Sequence, residues 1–124
     1  MEVKIDTKEK FHVITLLQSE LSATMTEELA EKLIPYLQSD IKNVVLNLKE
    51  LQTIDNISAE RLVKIQQKFY EGNASFVICE LQPQIEQFLD KDDLLEMMNV
   101  TPTESEAWDI IQMEEIERDL LGDA

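Results

Sequence analysis

Asp55-Asn56-Ile57-Ser58 sets a carboxylate, an amide and a hydroxyl side by side where a polar turn gives way to a helical pattern. Side chains of these types accept hydrogen bonds from the free N–H groups of a helix start. An apolar neighbour such as Ile57 is then left to face outwards. Recognition of a partner suits this arrangement better than covalent chemistry. A cysteine nucleophile needs a base and an oxyanion donor, yet His12 and Cys79 are each the only residue of their type, and no motif unites them. Single His and Cys residues also argue against a zinc site, which needs ligand pairs at short spacing. The two glycines, Gly72 and Gly122, cannot build a glycine-rich phosphate loop. With 26 acidic residues, pairs such as Asp92-Asp93 and Glu114-Glu115 arise by chance and read as a solvated face. These observations predict a protein that is not an enzyme and carries neither cofactor nor metal.

The formal charge of -15 is unevenly placed. Residues 71–124 hold 15 acidic and 2 basic side chains, leaving 11 acidic and 9 basic for residues 1–70. Phosphate binding needs Lys and Arg to release counterions, so nucleic acid is a poor partner, and an anionic membrane would repel the same half. A basic protein surface is the natural counterpart. No apolar run reaches the ~20 residues of a membrane span. The opening Met1-Glu2-Val3-Lys4-Ile5-Asp6 lacks a signal peptide's apolar segment, and one cysteine cannot form an internal disulfide. The expectation is a cytoplasmic protein.

Elements must position the Asp55 turn. Val3-Lys4-Ile5 and Phe11 to Leu16 read as a β-hairpin. Thr24-Met25-Thr26-Glu27 has capping-box spacing, and Met25, Leu29, Leu33 and Leu37 form a helical stripe that Pro35 should kink or end. Val44 to Leu48, interrupted by Asn47, is the pattern of a strand covered on both faces. A helix follows from about Ile57 to Glu71, with Leu62, Ile65 and Phe69 on one side and Gly72 as a left-handed cap. Ser75 to Cys79 is a strand, Pro83 opens a short helix with Ile85, Phe88 and Leu89 inward, and Met97 to Val100 suggests an edge strand. Thr103-Glu104-Ser105-Glu106 is a second capping box, opening a helix that carries Ala107, Trp108, Ile111 and Leu120, of which Trp108 and Ile111 should cover the sheet. The order β-β-α-β-α-β-α-β-α predicts an α/β fold: a mixed, mainly parallel sheet of four to five strands with about four helices. Residues 1–124 read as one domain, with a core of about 3–113 and an acidic tail, 114–124, that packs loosely or serves a second contact.

The chain resembles the anti-sigma factor antagonist (STAS) family. The residues that carry the resemblance are Ser19-Glu20-Leu21-Ser22 after the second strand, Asn47-Leu48-Lys49 closing the third, and Ile54-Asp55-Asn56-Ile57-Ser58 opening the helix. Gly72, Leu81-Gln82-Pro83 and Thr103-Glu104-Ser105-Glu106-Ala107 continue it, covering roughly residues 3 to 113. The resemblance implies a STAS-like fold and a domain that binds an anti-sigma factor or a related ATPase-fold kinase through Asp55, Asn56, Ile57 and Ser58. In that family the third residue of the turn is phosphorylated. Here Ile57 stands at that place and cannot accept a phosphate, which leaves Ser58, one residue later, as the candidate acceptor. Two other readings remain: a STAS-type regulatory subunit of a transporter ATPase, and a small-ligand binder or enzyme using the sheet-edge crevice with Cys79 or a carboxylate.

Overall fold

A computed structural model describes residues 1–122. Its elements run β1 (Val3–Thr7), β2 (Phe11–Leu16), β3 (Glu20–Leu21), α1 (Ala23–Leu33), a 3-10 turn (Ile34–Gln38), β4 (Asn43–Asn47) and β5 (Thr53–Ile54). They continue α2 (Asn56–Glu71), β6 (Phe76–Cys79), α3 (Pro83–Lys91), a 3-10 turn (Leu95–Met97), β7 (Val100–Thr101) and α4 (Glu104–Gly122). A five-stranded sheet has the order β1-β2-β4-β6-β7. The β1–β2 hairpin is antiparallel and the other three pairings are parallel. This is the α/β architecture read from the sequence, with one addition. β3 and β5 form a separate two-stranded parallel ribbon, joining Glu20 to Thr53 and Leu21 to Ile54.

Side-chain alternation splits the sheet into two faces. Val13, Val45 and Val77 are in register across β2, β4 and β6 and lie in a cluster with Cys79, Ala107 and Ile111 beneath α4. The neighbouring row, Ile14, Leu46 and Ile78, belongs to the larger opposite core with Leu29, Leu33, Leu62, Phe69, Ile85 and Leu89 of α1, α2 and α3. His12 is fixed on the hairpin: its ring lies between the Thr7 hydroxyl (2.9 Å) and the Ile41 carbonyl (3.0 Å) and stacks on Tyr36. It is buried, a structural residue of the sheet.

Several expected details differ. The first capping box does not form. The β3 ribbon brings the chain in two residues earlier, so Ser22 is the N-cap of α1 and makes no side-chain cap bond. Thr26 is buried and donates instead to the Ser22 and Ala23 carbonyls. Pro35 ends the α1 helix at Leu33, as its missing N–H requires, and the chain tightens into the 3-10 turn. Gly72 is not left-handed, with φ at -86°; the left-handed residue is Asn73, at 59°. At position 72 space is tight: an added Cβ would lie 3.0 Å from Leu37 Cδ2, and that side chain would have to give by a few tenths of an ångström. Of Met97 to Val100, Met97 ends a 3-10 turn and only Val100 enters a strand, the two-residue edge strand β7. Trp108 does not lead the packing of α4. Ala107 and Ile111 are fully buried against the valine row, whereas Trp108 is half-buried and stacks on Phe11 at 4.9 Å. Leu120 faces solvent.

Candidate partner-binding site

The site is assembled at the end of β4. Asn47 is buried, and its Oδ1 accepts the Lys49 N–H at 2.9 Å, turning the chain out of the strand. Its Nδ2 donates to Glu80 at 2.8 Å and to Glu104 of α4 at 2.9 Å. The turn beyond is held on both flanks. Ser19 O accepts the Gln52 and Thr53 N–H groups at 2.7 and 3.0 Å, alongside the β3–β5 ribbon. Gln82 and Gln84 from the start of α3 donate to Lys49 O and Gln52 Oε1. Leu51 and Ile54 are buried and anchor the turn from below.

Asp55 then caps α2, accepting the Ser58 N–H at 2.7 Å. The Ser58 hydroxyl and N–H hold the Asp55 carboxyl below its ordinary range, helped by the Arg61 guanidinium. Hydroxyl and carboxylate are close enough for that influence, although Ser58 Oγ meets full hydrogen-bond geometry with no partner. Arg61 joins the starts of the two helices, donating to Ala23 O of α1 and pairing with Glu27 at 3.4 Å. The helix start is therefore fixed by a cap, a ribbon and a cationic clamp.

On this frame the four predicted residues separate. Asp55, Asn56 and Ile57 face solvent, and Ile57 is 52 % exposed. Ser58 is fully buried. The expectation that it shares the exposed tip is thus corrected: the third position of α2 turns into the core beside Ala59 and Leu62, as the ~100° rotation per helical residue dictates. In its described position the hydroxyl is closed to a phosphate donor. Sequence reasoning gave Asn47 no part in the site: it stood as an interruption of an apolar strand and as one residue of the family resemblance. The signal was a polar residue at a position whose neighbours demand burial on both faces.

Cys79 is buried at the end of β6, and burial, reinforced by Glu80 and Glu104, pushes its thiol up to about 12. The reactive species of a cysteine is the thiolate, so this side chain is not poised as a nucleophile. Among the described residues, no group of three or more His, Cys, Asp or Glu side chains could hold a metal ion. Two open recesses, of about 430 and 460 Å³, both include Asn73 and Arg118 and lie beyond the far end of α2 from Asp55.

Residues 2–107 match the STAS domain family. The chain belongs to that family. Solved structures agree on the fold. An anti-sigma-factor antagonist (STAS) domain protein from Planctomyces limnophilus is 18 % identical with a TM-score of 0.74, over 89 % of this chain and 97 % of that one. The Bacillus cell fate determinant SpoIIAA in its phosphorylated form is 17 % identical with a TM-score of 0.64, over 89 % of this chain and 99 % of that one. The murine anion transporter Solute Carrier 26 family member A9 is 13 % identical with a TM-score of 0.66, over 83 % of this chain but 18 % of that one. The same fold thus occurs in small proteins and as one part of a membrane transporter. This STAS domain has, among its described residues, no helix long and apolar enough to cross a membrane. Its fold does not by itself specify a partner.

Proposed function

We propose that this STAS domain is a non-enzymatic regulator that binds an anti-sigma factor or a related ATPase-fold kinase through Asp55, Asn56 and Ile57, without a phosphoswitch at this turn. The carrying observation is Ile57: an isoleucine exposed on a rigidly held helix start, with Asp55 and Asn56 beside it. An exposed apolar residue rimmed by polar ones favours a contact surface, and a preorganised one loses little conformational freedom on binding. Ile57 also stands where the resembling family carries its acceptor hydroxyl, and burial of Ser58 removes the nearest substitute. Binding is then controlled by abundance or competition.

The test pairs the full chain with an anti-sigma-type kinase from the same genome. Ile57→Asp is expected to weaken binding by ~2 kcal/mol or more, because it forces a charge into a desolvated contact. Its melting temperature should stay near wild type. Ser58→Ala should bind normally and change stability by less than ~1 kcal/mol, since the hydroxyl it removes is buried without a full partner. Intact mass after incubation with kinase and ATP should show no added phosphate. A phosphate mapping to Ser58 would restore the switch, and normal binding by Ile57→Asp would move the interface elsewhere.

A further inference from the structure

α4 has two unlike faces. Ala107 and Ile111 lie on the valine row of the sheet. On the opposite side Met113, Ile116 and Leu120 follow i, i+3, i+7 spacing and form one outward stripe, with Ile116 60 % and Leu120 76 % exposed. Beside it, Tyr70 at the end of α2 and Leu121 line the recess of about 460 Å³, together with Glu71, Asn73, Glu114, Glu117 and Arg118. Scattered exposed apolar residues need no explanation, but a continuous strip on a well-anchored helix does.

The charge around the strip selects its occupant. Glu106, Asp109, Glu117 and Asp119 fringe it on both sides, all exposed. Arg118, the one basic residue of α4, reaches that recess, but its guanidinium is engaged there, donating to Ser75 Oγ at 3.1 Å and approaching Asn43 Oδ1, so three carboxylates against one tied cation leave the recess acidic. A second copy of the chain would bring carboxylates against carboxylates, with -15 on each molecule. Nucleic acid and anionic lipid are disfavoured for the same reason. The complement is a helix with Leu or Ile along one side and Lys or Arg flanking it.

We propose that the outward face of α4 from Met113 to Leu121 docks a basic amphipathic helix of a partner protein. It lies near the C-terminal end of α2, at the far end of that helix from Ile57, and stands independently of the Ile57 surface.

The probe is a labelled amphipathic Leu/Lys peptide of about 18 residues, long enough for five turns of helix, with a Leu/Glu peptide of the same spacing as control. The Leu/Lys peptide is expected to bind the full chain and shift the amide resonances of residues 113–121, while the Leu/Glu peptide does not bind. Ile116→Gln with Leu120→Gln, which keeps every charge and does not lower helix propensity, should weaken binding about tenfold or more at an undiminished melting temperature. Asp92→Asn with Asp93→Asn, which removes two charges at the end of α3, should change it less than about twofold, and Ile57→Asp should leave it intact. Equal losses in the Gln and Asn pairs would reduce the effect to bulk charge and overturn the proposal. Sedimentation showing a wild-type dimer that the Gln pair abolishes would assign the strip to a second copy, and also overturn it.

Discussion

The two faces of the sheet are held by different physics. On the α1–α2–α3 side, twenty buried residues among those described form one apolar cluster, which includes the Phe69 and Phe76 rings 5.3 Å apart. On the α4 side six buried residues suffice, most of them small. Polar hooks at both ends of β4 complete that attachment: Asn47 holds Glu104, and Asn43 holds Glu115 at 3.0 Å. Dispersion and desolvation hold a helix strongly but tolerate sliding, whereas hydrogen bonds fix register. The front face therefore supplies stability, and the rear face supplies an oriented helix whose far side stays free.

Phe69→Ala is the largest way to probe this contrast. It should cost ~3–5 kcal/mol in denaturant unfolding, whereas Trp108→Ala, half-buried over Phe11, should cost ~1–2 kcal/mol. Equal costs would mean that the rear face is as much an apolar core as the front. Asn47→Ala comes next, at ~1–3 kcal/mol, because Glu80, Glu104 and the Lys49 N–H all lose a buried partner. Its diagnostic is amide exchange: the first turn of α4 should open before α2 does, and uniform loss of protection would refute register control by hydrogen bonds. Asp55→Ala is the smallest, ~1 kcal/mol for a lost cap. Because the Asp55 carboxyl is lowered in the fold, its contribution is fully present above the unfolded value near 3.8 and fades as pH falls through the lower folded value. The wild-type and Asp55→Ala stability curves should therefore converge on acidification, and a constant gap would assign the effect to packing.

Much of this was legible in the sequence. Runs such as Val44-Val45-Leu46 and Phe76-Val77-Ile78 have no use except as strands covered twice, and Asp55 is a cap wherever a helix follows. Three features were not legible, each for a physical reason. β3 and β5 are two residues long, too short for any periodicity, and exist because chain segments far apart in sequence meet. The exposure of α4 depended on which of its two apolar stripes faces the sheet. Trp108 is the larger residue, yet the valine row admits Ala107 and Ile111 and leaves the indole at the margin. The cap of α1 moved because tertiary pairing at Leu21 overrode a local capping signal.

The β3–β5 ribbon also bears on when the Asp55 surface comes into being. The pairing closes a loop of about thirty residues, an entropic cost met only after distant segments have met, whereas the turns of α2 can form locally. A nascent or partly unfolded chain can thus carry the α2 helix without presenting Ile57 on its fixed platform. A partner that docks there would discriminate against incompletely folded molecules. The Gln52 and Thr53 amides, which both rest on Ser19 O, report this directly. They should exchange only through global unfolding, and exchange by a cheaper local opening would show that the platform dissolves while the rest of the molecule stands.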